Sequence, residues 1–410
     1  MSIKRSPLAP ASFPALPEVA GVELAAGASG VRYADRPDLA LLAFADGTTV
    51  GGVFTRSMVP GHPVVWCRKI LPSGMARALV VNAGNANVLN GEHGDNAVRL
   101  EAMAAAQLLD TAPETVFVAS TGVIGEPLPV ERIVTTLPDL HARLSRDGWK
   151  DAAEAIRTTD TFAKGSFAKT TIGGRDVAIS GIVKGSGMIQ PDMATMLAFI
   201  ATDAALPASI LQRLTEEANE AAFRKITVDS DTSTSDMLLC FATGQAAHPA
   251  PTGADDRLLD AFRDKLMAVA VDLAKQVVRD GEGLSKFIQI GVEGAENDGS
   301  ARIIALSVAN SPLVKTAIAG EDANWGRIVA AVGKAYQPIQ LAHLGIRVGD
   351  HVVAAKGARL PGLDEAPIDA HLKGQEIDIA ITVGPGDGQA TVWTSDLTHD
   401  YISINADYRS

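Results

Sequence analysis

The chain has 410 residues, 47% hydrophobic and 20% charged, which is the composition of a globular protein with room for two or three domains. A formal net charge of −12 without an evident basic face argues against nucleic-acid binding, because phosphate recognition needs clustered Lys and Arg. No apolar run reaches the ~18 residues that span a bilayer. Cys67 and Cys240 lack a CxxC partner and nearby His, which excludes a disulfide framework and predicts buried thiols without bound zinc.

Prolines interrupt the segment that follows Lys4 and Arg5. They would break both the apolar core of a signal peptide and the amphipathic helix of a transit peptide. We therefore expect an extended arm over residues 1–20 and a cytoplasmic protein. The four prolines are Pro7, Pro10, Pro14 and Pro17.

Strand-like runs and helix-like segments alternate along the first half. From Val22 onward, the runs LALLAFA (39–45), TTVGGVFT (48–55) and HPVVWC (62–67) are typical of strands. Further strands are predicted over 78–81, 116–119 and 177–183, and helices over 97–109, 130–146 and 150–157. This alternation indicates a mixed α/β fold class.

Three loops in this half carry polar groups that could do chemistry. NAGNAN (82–87) follows the strand 78–81. It is either a loop that offers backbone or side-chain amide groups for binding, or a plain turn. STGVIG (120–125) follows the strand 116–119 and can present a hydroxyl beside a bare backbone N–H, as an oxyanion hole requires, although S-T-G is also common in turns. TTDT (158–161) places hydroxyls on a connecting loop.

The stretch 184–204 is chemically unusual. A glycine-rich loop with Lys184 leads to Ala194 and Thr195, and the apolar run 196–200 reads as a buried strand. Thr195 has two interpretations. It is either a β-branched residue that starts a strand, or a self-processing site at which its hydroxyl attacks the Ala194 carbonyl and its freed amine later serves as its base.

Helix-like and strand-like segments also alternate along the second half. Helices are predicted over 207–223, 255–279 and 328–335, and strands over 226–228, 286–292, 302–309, 377–383 and 389–394. Residues 384–388 are predicted to join the last two strands as a hairpin, and the alternation up to Ser410 suggests a packed C-terminus. The acidic segment 229–236 lacks the glycine and glutamate of a calcium loop. No flexible linker is evident, which favours interlocked lobes.

Nine short motifs stand out along the whole chain: KGSGMI, MATMLAFI, NAGNAN, STGVIG, TTDT, DTSTSD, DGEG, NWGR and INADYRS. Together they give the chain a strong resemblance to the ArgJ family, the ornithine acetyltransferases, over essentially its whole length. The resemblance implies self-cleavage between Ala194 and Thr195 into an α chain, 1–194, and a β chain, 195–410. It also implies a two-lobed α/β sandwich, shared with the aminopeptidase DmpA, and an α2β2 tetramer.

The resemblance also implies roles for individual residues. Thr195 matches the family's nucleophile, and the Thr121 hydroxyl and Gly122 N–H match its oxyanion pair. The implied reaction moves an acetyl group from N2-acetylornithine to glutamate through an acetyl-threonine ester, without metal or cofactor. Acetyl-CoA as a second acetyl donor stays open. The substrate-binding positions map to Thr158 or its neighbour Thr159, and to Lys184, Thr195, Glu282, Asn405 and Ser410.

Two alternatives have distinct signatures. An aminopeptidase or amidohydrolase with the same nucleophile would release acetate without glutamate, and a non-catalytic binding protein would stay uncut at Ala194–Thr195. A dinucleotide-binding enzyme is disfavoured because no GxGxxG follows a strand and opens a helix.

Overall fold

The computed structural model describes residues 4–33, 35–190 and 196–406. The chain packs into two compact units, of which the larger takes its described residues from Pro10–Arg224 and Thr232–Val277. The smaller unit comprises Lys225–Asp231, Val278–Ser410 and the start of the chain, Met1–Ala9, to the extent that these are described. The mixed α/β class is confirmed. The division into chains at 194/195 stays a prediction, since Ala194 and Thr195 lie outside the described residues.

Strands and helices alternate along both units. The strands are β1 (Val22–Gly27), β2 (Leu39–Phe44), β3 (Thr49–Phe54), β4 (Ala78–Asn85), β5 (Val116–Val123), β6 (Lys164–Ile172), β7 (Arg175–Lys184), β8 (Leu197–Ala204), β9 (Ile226–Thr227), β10 (Met237–Ala246), β11 (Phe287–Ala295), β12 (Gly345–Val348), β13 (His351–Ala355), β14 (Ala358–Arg359), β15 (Glu376–Thr382) and β16 (Gly388–Ser395). The α-helices are α1 (His62–Ile70), α2 (Gly91–Leu108), α3 (Val130–Ala142), α4 (Trp149–Ala155), α5 (Ala208–Ala221), α6 (Asp260–Val278), α7 (Asp298–Ala309), α8 (Pro312–Ala319), α9 (Trp325–Gly333), α10 (Ala366–Leu372) and α11 (His399–Ala406).

The larger unit is built on two sheets, with strand orders β1-β2-β4-β5 and β3-β10-β8-β7-β6. Side chains alternate between the faces of each strand, so each sheet presents one row to the other sheet and one row to helices. Leu79 and Phe117 of the first sheet share a buried cluster with Phe199 and Phe241 of the second. The opposite face of the first sheet packs on α2 and α3 in a second cluster. The core therefore lies between the two sheets.

The pairing of two strands places the STG motif. β4 and β5 are parallel, with Ala83 opposite Thr121 and Gly84 opposite Gly122. Both strands continue through the small and polar residues that were predicted to form loops. The loop assignments of 82–85 and 120–123 are therefore wrong, because strand pairing outweighs the weak strand propensity of Gly and Asn.

The smaller unit has one seven-stranded sheet, in the order β14-β13-β12-β15-β11-β16-β9. β11 pairs with β15 in parallel and with β16 antiparallel, so that it lies between them. The predicted hairpin of the last two long strands is therefore wrong. At the end of the chain, 399–406 forms α11, in which no described side chain is fully buried. The predicted packing up to Ser410 stays a prediction, since 407–410 lie outside the described residues.

Two predicted strands are helices. HPVVWC lies in α1, where Pro63 occupies the first turn and Val64, Cys67 and Ile70 are buried at helical spacing. The segment 302–309 lies in α7, whose cap is Asn297, with Oδ1 accepting from the Ser300 N–H at 2.9 Å. Strands β6 and β10 and helix α8 were not predicted. Within the described chain, no helix has both the length and the apolarity that crossing a membrane would require.

Candidate active site

The predicted oxyanion pair lies within β5. Thr121 is buried, and Gly122 has φ +134°, a backbone conformation that a residue with a side chain rarely adopts. A Cβ at Gly122 would lie 2.2 Å from the carbonyl carbon of Gly84 on β4. Only glycine fits at this position, and its approach to β4 fixes the backbone beside the Thr121 hydroxyl.

Lys184, the last residue of β7, joins two of the predicted hydroxyls. Its Nζ donates to Thr121 Oγ1 at 3.1 Å and to Thr158 Oγ1 at 2.9 Å, and the residue is only 4% exposed. An ammonium group can only donate, so both hydroxyls accept from it. The O–H proton of each threonine is therefore left to point at another acceptor.

Thr158 and Thr159, the two candidates for one substrate-binding position, differ in their contacts. Thr158 contacts Lys184 through its hydroxyl. Thr159 is also buried, at 8% exposure. The structure thus brings Thr121, Thr158 and Lys184 into one cluster, with Gly122 adjacent and Thr159 next in the chain.

A buried ion pair supports this cluster. Asp160 Oδ1 accepts from Lys164 Nζ at 2.6 Å, and neither side chain of the pair is exposed. The same carboxylate accepts from the N–H of Gly185 at 2.7 Å and from the N–H of Thr158 at 3.1 Å. Burial by itself would raise the pKa of Asp160, but the charges of Lys164 and Lys184 outweigh it and hold that pKa below its ordinary value. Asp160 is therefore ionised.

A second carboxyl, Asp236, is buried in the same unit. It precedes β10, and neither of its carboxylate oxygens has a hydrogen-bond partner in the part of the chain that the structure describes. Burial raises its pKa well above the ordinary value, and the polar groups of Ser233 and Met196 and the charge of Lys184 offset only part of that effect. In the sequence, Asp236 stood out only as the last residue of the DTSTSD motif.

The acidic segment 229–236 does not have the form of an open calcium loop. The carbonyl of Thr234 accepts from the Gly61 N–H at 2.8 Å, and that of Ser233 accepts from the Thr55 hydroxyl at 2.6 Å. Within residues 4–33, 35–190 and 196–406, no three His, Cys, Asp or Glu side chains are grouped as metal ligands.

In the smaller unit, Glu282 and Asn405 are brought together. Asn405 Nδ2 donates to Glu282 Oε2 at 2.7 Å, and Glu282 is 8% exposed. The turn that carries Glu282 lies against α11, since a Cβ at Gly283 (φ +70°) would lie 2.4 Å from the Tyr401 nitrogen. Glu282 is thereby held by the side chain of Asn405. The substrate-binding roles assigned to both residues stay predictions.

A buried lysine stabilises the strand end near this turn. Lys315 Nζ donates to Thr394 Oγ1 at 2.9 Å and to the Ser395 carbonyl. Burial lowers the pKa of Lys315 to about 8, which the charges of Asp396 and Asp229 partly oppose. Lys315 carried no motif signal, and the sequence analysis missed it.

The predicted nucleophile Thr195, its neighbour Ala194 and the C-terminal Ser410 lie outside the described residues. Their assigned roles stay predictions. The described candidates form two clusters, Thr121–Thr158–Lys184 in the larger unit and Glu282–Asn405 in the smaller.

Comparison with known proteins identifies the family. The ArgJ family profile matches residues 23–410. The chain is 54% identical to the arginine biosynthesis bifunctional protein ArgJ of Gluconobacter oxydans, over 99% of this chain and 95% of that protein. It is 53% identical to the protein of that name from Zymomonas mobilis, over 99% of both chains. A crystal structure of the Bacillus halodurans protein of that name is 38% identical, with a TM-score of 0.48, and covers 50% of this chain and 95% of that chain. The chain belongs to the ArgJ family.

Proposed function

We propose that this protein is an acetyltransferase of arginine biosynthesis that moves the acetyl group of N2-acetylornithine to glutamate. The observation that carries the proposal is the match over 99% of the chain to relatives named for arginine biosynthesis. The cluster of Thr121, Thr158 and Lys184 supports it, because a buried, oriented hydroxyl is the type of group that acyl transfer requires.

The nucleophile in this proposal is Thr195, unmasked when the chain cleaves itself after Ala194. Its free amine takes the proton from its own hydroxyl, and the hydroxyl oxygen attacks the acetyl carbonyl. The tetrahedral intermediate collapses, the ornithine amine leaves with a proton, and an acetyl-threonine ester remains. The glutamate amine then attacks the ester to give N-acetylglutamate and free Thr195. One site serves both halves, so the kinetics are ping-pong.

Thr121 and Gly122 stabilise the oxyanion of each tetrahedral intermediate. The Thr121 oxygen already accepts from Lys184, so its own proton is available to the oxyanion. The lysine charge also makes this hydroxyl a stronger donor. Loss of one such donor costs about 10²–10³-fold in rate.

Substrate recognition follows from charge. Donor and acceptor share an α-amino-acid frame, so one site can bind both. By charge, Lys184, with Thr158 and Thr159 beside it, is the type of group that binds a substrate carboxylate, and Glu282 is the type that binds a substrate ammonium. Asn405 orients Glu282, as its hydrogen bond to Oε2 supports. Ser410 completes the proposed set.

The further attributes of the proposal follow from the family. The relatives are named bifunctional, and we propose acetyl-CoA as a second acetyl donor. No cofactor is required, because the enzyme itself carries the acetyl group. The proposed assembly is an α2β2 tetramer of the cleaved chains, located in the cytoplasm with other biosynthetic enzymes.

Two measurements test the proposal. Denaturing intact-mass spectrometry should find two chains that meet between Ala194 and Thr195, and a Thr195→Ala variant should stay uncut. Purified protein given N2-acetylornithine should then release ornithine only in proportion to added glutamate. Release of acetate without glutamate would show a hydrolase instead, and a single uncut, folded wild-type chain would favour a binding protein.

A further inference from the structure

The buried Asp160 has no assigned role, although it contacts both parts of the chain that carry the hydroxyl cluster. One carboxylate oxygen accepts from the Gly185 N–H at 2.7 Å, directly after Lys184. The other accepts from the N–H of Thr158 at 3.1 Å. Asp160 therefore connects the backbone of the lysine segment to the backbone of the threonine segment.

We infer that Asp160 is a positioning residue that orients the Thr121 hydroxyl through Lys184 and Thr158. Lys184 donates to both hydroxyls, so the direction left for the Thr121 proton depends on where the ammonium is held. Hydrogen bonds to a carboxylate are about twice as strong as neutral ones, and a fully buried carboxylate is not weakened by solvent. This inference rests on the proposed acyl transfer.

Lys164 has a different part in the cluster. Its Nζ lies 2.6 Å from Asp160 Oδ1 and 4.7 Å from the centre of the Phe162 ring. It neutralises a carboxylate that would be costly to bury alone. Removing only Asp160 would take away the carboxylate that lies 2.6 Å from this buried ammonium, so that a single substitution would mix loss of stability with loss of positioning.

The test therefore replaces both charges together, as Asp160→Asn/Lys164→Met. Replacing a buried ion pair by neutral groups of similar volume is often nearly neutral for stability. We expect a melting temperature close to wild type and a kcat that is at least about 10-fold lower, a fraction of the ~10²–10³-fold that a lost oxyanion donor costs. Rates are counted per cleaved molecule by intact mass.

A double-mutant cycle separates positioning from general damage. In a Thr121→Val background the hydroxyl is absent, so the pair replacement should lower kcat by no more than about twofold further. Asp203→Asn is the matched control. Its carboxylate also accepts a backbone N–H of β7, from Ala178 at 2.9 Å, and its replacement should leave kcat at the wild-type value.

The outcomes are distinct. Equal losses of kcat in the Thr121 and Thr121→Val backgrounds, or a folded pair variant with wild-type kcat, would overturn the inference. If the pair variant does not fold, Asp160→Glu takes its place, because it keeps the negative charge but moves the carboxylate oxygens. Its kcat should fall when Thr121 is present and should fall no more than about twofold further in the Thr121→Val background. A wild-type enzyme with no acetyl transfer at all would instead refute the proposed function.

Discussion

Glu101 offers a test of how a buried carboxyl group makes the stability of this fold depend on pH. It lies on α2 with no exposed surface, and neither carboxylate oxygen has a hydrogen-bond partner among the described residues. Burial raises its pKa from 4.5 to about 8. The folded state thus binds this proton more tightly than the unfolded state. Stability is therefore lost as the pH rises from about 4.5 to about 8.

The expected magnitude follows from the two pKa values. One pKa unit corresponds to about 1.4 kcal/mol, so the ionised carboxyl costs the folded state up to about 5 kcal/mol above pH 8. Glu101→Gln cannot ionise and removes this cost. The melting-temperature difference between variant and wild type should grow by roughly 6 °C or more between pH 5 and pH 8.

Differential scanning calorimetry at half-unit pH intervals measures this difference directly. Glu92→Gln is the control, since Glu92 lies on the same helix with an exposed side chain, and it should leave the pH dependence nearly unchanged. Parallel melting curves for Glu101→Gln and wild type from pH 5 to pH 8 would refute the reasoning. They would mean that the carboxyl has a charge partner or water contact that stabilises its ionised form.

Two further predictions concern the proposed site. Gly122→Ala places a Cβ 2.2 Å from the Gly84 carbonyl carbon, so we expect a lower melting temperature and at least about a 100-fold loss of kcat in the acetyl-transfer assay. Gly253→Ala is its control, because the backbone of Gly253 is not left-handed and a Cβ there meets no atom within 4 Å. Transfer faster than a tenth of wild type by Gly122→Ala would contradict the argument. Glu282→Gln keeps the size and the contact with Asn405 but removes the charge, so KM for N2-acetylornithine should rise about 10-fold or more, and an unchanged KM would exclude an ammonium contact.

The fold class could be predicted from the alternation of segments, but several boundaries could not. HPVVWC is a short apolar run, and such runs fit a strand or one face of a helix equally well. Only the burial of Val64, Cys67 and Ile70 at helical spacing distinguishes the two. β11 lies between β15 and β16 because of pairings between residues that are about 90 to 110 positions apart, which local turn residues do not encode.

In the candidate site, too, short motifs predicted individual residues but not the contacts between residues that are far apart in the sequence. Motifs identified Thr121, Thr158 and Lys184 individually, because each lies in a short segment that resembles the family. Their hydrogen bonds join segments 26 and 63 residues apart, which depend on how the two sheets of the larger unit pack. Asp160 also lay within a predicted motif, but its role depends on contacts that only the folded chain makes.

The position of Lys184 changes how its glycine-rich motif is understood. The sequence placed this lysine in a flexible loop, whereas it is the last residue of β7 and pairs with Leu197 of β8. A lysine on a strand has a fixed backbone, and the Gly185 N–H that follows is held by Asp160. Because the backbone of Lys184 is already fixed, its side chain loses less conformational entropy when it forms its two hydrogen bonds. The motif therefore places a rigid donor at the end of a strand. The proposed role of Thr121 requires such a donor, because an oxyanion-binding hydroxyl has to be oriented before the reaction begins.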